Sequence, residues 1–357
     1  MKRCLFSMLA LAVVLFSSFT APTNFVDLSK SGTANCYIVS QSGYYKLRAV
    51  KGNSNVSVGS VSSATVLWES FGTDDEPSVG ALIKNIVFNN GYVLFQTADT
   101  FKEGNAVIAA MDASGKILWS WHIWLTDQPK GQVYYNNAGT MMDRNLGATS
   151  ATPGDVGALG LLYQWGRKDP FLGSSYIYFD NIKVARSTIT WPSTVESNSS
   201  NGTIAYATAH PTTFITGNDS NNDWYYTGSS STNNTRWTTS ETSKSIYDPC
   251  PVGWRVPDGG RNGVWAKAGF DDTEFDGINA GILFSISSPS QTWFPATGYL
   301  EPTYGELLVV GDYGNNWSAS PHGNDAYGLC FNIDSRVYPL GGGCRAFGFP
   351  VRCVKGK

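Results

Sequence analysis

The sequence predicts a mainly β protein with some α, an α+β chain that begins with a β-sandwich module. Three observations support this prediction. The residues are 13% aromatic, only 15% are charged, and the first third of the chain alternates apolar and polar residues between turns. A period of two residues indicates strands with one buried face, and short strands separated by turns are typical of sandwiches. A chain of 357 residues has room for about two domains.

The composition argues against two classes of protein. The chain has 25 Lys and Arg against 28 Asp and Glu, a formal net charge of -3, whereas a nucleic-acid binder needs clustered basic residues that displace counterions. The aromatic content is too high for a disordered acidic tail. Since globular chains average about 25% charged residues, Ser, Thr, Asn, Gly and Tyr must supply much of this surface. Such surfaces are common on extracellular β proteins.

The N-terminus has the pattern of a secretory signal peptide. Lys2 and Arg3 precede the uncharged residues 5–16, and small or polar residues follow. The apolar segment is shorter than the roughly 20 residues that a membrane-spanning helix needs. Cys4 lies before this segment, so no lipid-attachment cysteine is indicated. We expect residues 1–21 to be a signal peptide, the protein to be secreted or at the cell surface, and no transmembrane segment to remain after cleavage.

Residues 22–129 form the predicted β-sandwich module. Segments such as CYIVS, GYYKLRAV and NGYVLFQTA alternate in the manner of strands, and residues 112–115, DASG, predict a hairpin turn. The following segment, ILWSWHIWL, is apolar on both faces, which predicts a strand buried on both sides. We therefore assign Trp119 and Trp121 to the core rather than to a sugar-binding platform, and His122 to packing rather than catalysis.

A change of pattern places the domain boundary near residue 129, where Asp127, Pro129 and Gly131 interrupt the strands. In the second domain, residues 158–166 predict one short helix that ends before an Asp-Pro pair.

The composition of two further segments of the second domain predicts their structure. Residues at about 188–245 are rich in Ser, Thr and Asn but include several aromatic residues, so we expect long surface loops anchored by aromatic side chains. Near the C-terminus, the segments GLCFNI, RVYPL and FPVRCV predict three short strands.

Six sequence blocks in the second domain occur in a fixed order: MMDRNLGA at 141–148, LYQWGRKDPF at 162–171, DPCPVGWRVP at 248–257, FPATGY at 294–299, NWSAS at 316–320 and GFPVRCV at 348–354. Together they resemble the bacterial surface family called FISUMP, the major paralogous domain. This resemblance covers about residues 130–357 and implies a C-type-lectin-like fold. The first domain resembles the β-rich module that precedes it in secreted Bacteroidetes-type surface proteins.

The cysteines outside the signal peptide are concentrated in the last third of the chain. Spacing alone leaves three connectivities open for the four C-terminal cysteines. The resemblance to C-type lectins implies the pairs Cys250–Cys353 and Cys330–Cys344, which would leave Cys36 as a buried, unpaired residue. A structural zinc site is not expected, because no CxxC motif occurs and the three histidines are widely separated.

A calcium site is also disfavoured by the sequence. Carbohydrate-binding C-type lectins hold calcium with a Glu-Pro-Asn or Gln-Pro-Asp triplet and a Trp-Asn-Asp triplet. This chain has Glu301, Pro302 and Thr303 at the first place, and VYPLGGG before Cys344 at the second. Calcium takes about six to eight oxygen ligands, and these changes remove several of them. We therefore predict no metal and no other cofactor.

A segment near residues 293–327 combines tyrosines with Asn, Asp and Glu, a composition suited to contact with sugars or proteins. Trp293 and Trp317 are assigned to the core, whereas Tyr304 and Tyr313 are expected to be exposed. The candidate ligand-binding residues are Tyr299, Glu301, Tyr304, Asp312, Tyr313, Asn315, Asn316, Asn324 and Asp325.

Enzyme motifs are not found in the sequence. It has no Gly-x-Ser-x-Gly elbow, no HExxH helix and no phosphate-binding loop. Acidic pairs such as Asp271–Asp272 and Asp272–Glu274 are weak evidence for a glycoside hydrolase. We predict a non-enzymatic recognition protein, an adhesin or fimbrial tip subunit that binds a glycan or a host or bacterial surface protein, with pilin subunits as further partners. The alternatives are a glycan-processing accessory protein or hydrolase, and a structural subunit of a surface assembly.

Overall fold

The computed structural model describes residues 24–71, 78–173, 178–179, 182–183, 193–218, 221–237 and 244–356. Within these ranges strands predominate. Two short α-helices, α1 (Ile204–Ala209) and α2 (Val264–Ala268), and two 3₁₀ helices (Tyr135–Asn137 and Val156–Ala158) accompany them. The prediction of a mainly β protein is confirmed. The predicted signal peptide and parts of the predicted polar loops lie outside the described residues.

Two four-stranded sheets form the N-terminal part. The first sheet has the order β1 (Val26–Asp27), β3 (Tyr44–Arg48), β6 (Tyr92–Thr97) and β5 (Ile83–Asn89). The second has the order β2 (Cys36–Val39), β8 (Ile117–Leu125), β7 (Gly104–Met111) and β4 (Ser63–Phe71). One apolar core contains side chains from both sheets, among them Leu47, Phe95 and Ile108. Burial of this shared core is what stabilises the pair of sheets.

Strand β8 is buried on both faces, as its sequence predicts. Trp119 and Trp121 belong to the core shared by the two sheets and are at most 2% exposed, which confirms their assignment to the core. On the opposite face, Trp124 packs into a second apolar cluster formed mainly by residues after position 140. His122 is equally buried. The second sheet is therefore a layer between the two parts of the chain.

The predicted hairpin turn between β7 and β8 is confirmed by its hydrogen bonds. Asp112 Oδ1 accepts hydrogen bonds from the backbone N–H of Ser114 at 2.8 Å and from its hydroxyl at 2.6 Å. Gly115 has a φ of +84°, a left-handed conformation that glycine adopts without strain. The turn therefore needs both the short acidic side chain and the glycine found in the sequence.

The described residues after position 130 form six smaller sheets. Two of them have four strands, in the orders β16 (Trp254–Arg255), β26 (Val354–Lys355), β10 (Thr140–Met142), β9 (Gly131–Val133) and β11 (Leu162–Gln164), β25 (Gly348–Pro350), β20 (Tyr299–Leu300), β21 (Leu307–Leu308). Two have three strands, in the orders β22 (Tyr313–His322), β23 (Asp325–Asn332), β24 (Val337–Cys344) and β17 (Phe275–Asp276), β18 (Gly281–Ser285), β19 (Gln291–Pro295). The last two are the pairs β14 (Ser193–Glu196) with β15 (Thr213–Thr216) and β12 (Tyr178–Phe179) with β13 (Ile182–Lys183). Strands near the start and the end of this part pair with one another, so its two ends are held together.

The prediction of a helix at residues 158–166 is wrong. Residues 162–164 instead form β11, which pairs antiparallel with β25 near the end of the chain. Gly160 and Gly166 flank the strand with φ values of +78° and +82°, outside the helical region. The short apolar segment is buried by a partner almost two hundred residues away, so its local pattern could not distinguish a strand from a helix.

The structure contains one of the two predicted disulfides. Cys250 and Cys353 are bonded and close a separation of 103 residues, and Cys36 is free and buried, as predicted. The Cys330–Cys344 prediction is wrong, because both are free thiols. In the register of β23 and β24, Cys344 lies opposite Asp325. Cys330 lies five residues further along β23, about 16 Å away at 3.3 Å per residue, whereas a disulfide requires Cα atoms within about 7 Å.

Candidate functional site

The hairpin formed by β20 and β21 has one buried and one outward face. Leu300 and Leu307 pair across it and pack into a small apolar cluster that includes Phe214. Tyr299 and Leu308 pair on the opposite face, where Leu308 is 38% exposed. Because side chains alternate along strands, Glu301 and Glu306 follow on this same outward side. We call this outward surface, from Tyr299 to Leu308, the hairpin face.

The carboxylate of Glu301 shapes the tip of this hairpin. It accepts hydrogen bonds from the backbone N–H groups of Thr303, at 2.9 Å, and of Tyr304. These bonds hold the turn in one conformation and place Tyr304 at its end, where the residue is 71% exposed. The exposure predicted for Tyr304 is confirmed. A loop that is already ordered loses less conformational entropy when a ligand binds, so the free-energy cost of binding is lower.

Aromatic residues continue the surface at the base of the hairpin. Tyr299 is half-buried and contacts Phe347 edge-on, with ring centroids 5.1 Å apart. Burial raises the pKa of Tyr299, and the nearby Tyr313 and Glu301 raise it further. Tyr313 is 40% exposed, as predicted, and Asp312 is half-buried beside it. Five of the nine candidate residues therefore lie on or beside the hairpin face: Tyr299, Glu301, Tyr304, Asp312 and Tyr313.

Two of the predicted binding residues are part of the interior. Asn315 and Asn316 are 5% and 1% exposed in strand β22. The amide of Asn316 donates a 3.0 Å hydrogen bond to Asn145 Oδ1. Trp317, the next residue, is fully buried and donates its indole N–H to Tyr163 O at 2.8 Å, which confirms its assignment to the core. Asn315 and Asn316 are not available to an external ligand in this conformation.

The last two candidates lie at the other end of the same strand. Asn324 and Asp325 are exposed where β22 turns into β23. Strand β22 runs from Tyr313 to His322, which corresponds to about 30 Å at 3.3 Å per residue. The structure therefore does not bring all nine candidate residues together in one site.

The acidic residues considered for hydrolysis are exposed, and one of them has a structural contact. Asp272 accepts hydrogen bonds from Val337 N at 2.9 Å and from the Arg336 guanidinium at 3.2 Å. The hydrogen bond from Val337 and the positive charge of Arg336 lower the pKa of Asp272. An acid held ionised in this way is a poor proton donor.

A cluster of buried charges that belongs to none of the predicted site residues lies where the N-terminal sheets meet the second part. Lys168 donates to the Ser120 hydroxyl and to Asp169 Oδ1, both at 2.5 Å, and lies 4.6 Å from the Trp119 ring centroid. The adjacent Arg167 is also buried. All three charged residues belong to the block LYQWGRKDPF. The sequence signal that could have indicated this cluster is the position of three charges between apolar and aromatic residues.

No protein-family model, curated protein or solved structure matches this chain. Among the described residues, no group of three or more His, Cys, Asp or Glu side chains is arranged to hold a metal ion. None of the helices in the described ranges is long and apolar enough to cross a membrane.

Proposed function

We propose that the chain is a secreted or surface-displayed recognition protein that binds a glycan or a protein through the hairpin face. The observation that carries this proposal is the 71% exposure of Tyr304, at a turn fixed by Glu301. A large aromatic side chain held in water by an ordered turn is available to stack on a sugar ring or fill a pocket. Carboxylates beside it can accept hydrogen bonds from hydroxyl or amide groups.

The domain assignment is part of the same proposal. The two sheets of residues 26–125 share one core, which supports a β-sandwich module at 22–129. The six ordered sequence blocks and the Cys250–Cys353 disulfide support a C-type-lectin-like domain of the FISUMP type at 130–357. A fold of this kind does not by itself define a ligand, so the proposed site rests on the hairpin face alone.

The proposal is tested on glycan and extracellular-matrix protein arrays, with and without EDTA. We expect binding by the wild-type protein and at least a tenfold weaker affinity for Tyr304→Ser combined with Tyr313→Ser. Tyr135→Ser is the matched control, because Tyr135 is 45% exposed but lies in a 3₁₀ helix outside the hairpin face. Calcium-independent recognition predicts that EDTA leaves the binding unchanged.

Two results would contradict the proposal. Silence on every array would remove the recognition function, and unchanged affinity in the double tyrosine variant would remove the hairpin face as its site. Hydrolysis of a polysaccharide that is lost in Asp272→Ala would favour an enzyme instead. Neighbouring genes that encode pilins would favour a fimbrial tip subunit.

A further inference from the structure

A small cleft opens beside the buried charges at the junction of the two parts. The empty space in the cleft and at its mouth is about 230 Å³, a volume that includes open solvent. The loop that follows β11, helix α1 and the aromatic residues Trp224 and Tyr247 surround it, and the charged part of its lining comes from Arg167, Lys168 and Asp169 in that loop. The hairpin face shares no residue with this cleft.

Arg167 is charged and buried, and within the described residues its hydrogen bonds go only to neutral acceptors. It is 2% exposed, and burial lowers its pKa to about 10, so that it stays protonated at neutral pH. Its Nη1 donates to Gln164 Oε1 at 2.9 Å and to Thr213 O at 2.8 Å, and its Nη2 lies 3.3 Å from His210 O and 3.5 Å from Ala207 O. Within the described residues its Nε has no partner.

The carboxylate of the residue two positions after Arg167 already accepts two other hydrogen bonds. Asp169 Oδ1 accepts hydrogen bonds from Lys168 Nζ at 2.5 Å and from the Ser120 hydroxyl at 2.6 Å. The charge of Lys168 is thus balanced by Asp169. No acidic side chain in the described part of the chain lies within ion-pair distance of Arg167, and the negative charge of Asp169 acts on it only from further away.

The surrounding buried charges do not supply the missing anion. Asp223 forms a bidentate pair with Arg236 and also lies 3.9 Å from Arg345. The guanidinium groups of Arg167 and Arg236 lie 5.6 Å and 4.7 Å from the Trp224 ring centroid. In this region of the described structure four buried cations therefore face two buried carboxylates, Asp169 and Asp223. Uncompensated charge in a low-dielectric interior is costly.

We propose that the cleft binds a small monovalent anion, a halide or a carboxylate group, beside Arg167. One positive charge without an acidic partner favours a monoanion over a phosphate or sulfate dianion. The apolar walls from Ile204, Ala207 and Trp224 exclude large hydrated ions. Binding there offsets the charge of Arg167 and fixes helix α1, whose carbonyls Arg167 already contacts, against the loop that contains Lys168.

The direct test uses wild-type crystals grown or soaked in sodium bromide, and others in sodium acetate. We expect an anomalous bromide peak, or acetate density, within about 3.5 Å of a nitrogen atom of Arg167. A bromide peak alone identifies a halide site, and acetate density alone identifies a carboxylate site. Density for neither ion at the cleft would overturn the proposal, and this test does not require any variant to fold.

A solution test compares thermal unfolding in bromide, acetate and gluconate at equal ionic strength. Gluconate is a monovalent anion too bulky for the cleft. General salt effects act on both proteins, so we expect the midpoint in bromide or acetate, relative to gluconate, to be higher for the wild-type protein than for Arg167→Gln. Arg336→Gln is the matched control, because Arg336 is exposed and should leave the difference intact. The same midpoint differences between salts in the wild-type protein and in Arg167→Gln would also overturn the proposal.

Discussion

Protonation of His122 should control the acid stability of the protein. His122 is 2% exposed, and its Nε2 lies 2.9 Å from Asn105 Oδ1. Since an amide oxygen only accepts, Nε2 carries the proton in the neutral ring. The other ring nitrogen, Nδ1, is buried without a partner in the described part of the chain. A second proton would place an unpartnered positive charge in the core.

Burial accordingly lowers the pKa of His122 from 6.5 to about 3. A histidine whose pKa is depressed by folding binds its proton more readily in the unfolded chain, so its contribution to stability is complete above pH 6.5 and declines as the pH falls toward 3. At pH 4 the unfolded state is protonated at this residue and the native state is not. Linkage then gives a loss of about 3 kcal/mol relative to pH 7, at 1.36 kcal/mol per pKa unit.

The assay is urea unfolding at several pH values from 7 to 4, for the wild-type protein and His122→Gln. Glutamine keeps a donor toward Asn105 but does not titrate, so the difference in unfolding free energy between the two proteins should shrink or reverse by about 3 kcal/mol at pH 4. His322→Gln, which changes an exposed histidine, should follow the wild-type curve. Parallel curves for wild type and His122→Gln would refute the reasoning.

Three further substitutions test other parts of the fold. Cys250→Ala with Cys353→Ala removes a link across 103 residues and should cost up to about 4.7 kcal/mol in the chain-entropy model, measured as a lower urea midpoint. Glu69→Gln should cost about 1–3 kcal/mol, because the buried carboxylate accepts three backbone N–H groups and an amide offers one oxygen. Lys168→Met leaves the carboxylate of Asp169 buried without its ion pair and should cost about 3–5 kcal/mol by the same assay. An unchanged midpoint in any of the three would contradict the role assigned to that contact.

Local sequence patterns predicted the structure correctly where it does not depend on which distant segment packs or pairs with the residues. The alternation around Trp119 and Trp121 predicts a strand buried on both faces, and both faces are buried. The exposure of Tyr304 and Tyr313 followed from their glycine and acidic neighbours. In each case the information lies within a few residues, because strand periodicity and turn chemistry are local properties.

Patterns that depend on distant partners could not be predicted in this way. Residues 162–164 have the composition of a short buried segment, and only their pairing with β25 makes them a strand. The resemblance placed Cys330 and Cys344 together, but the register of β23 and β24 separates them. A register is set by the sum of contacts along both strands and is not encoded in the spacing of two cysteines.

The sequence by itself determined that the chain is rich in β structure and that strand β8 lies inside the protein. Only the tertiary structure decided which candidate binding residues share a surface: Tyr299 and Tyr304 lie on the hairpin face, whereas Asn316 is buried and Asn324 is at the far end of β22. Only the tertiary structure revealed that Arg167 is buried with no acidic side chain within ion-pair distance in the described part of the chain, because the neighbours of a buried charge come from distant parts of the sequence.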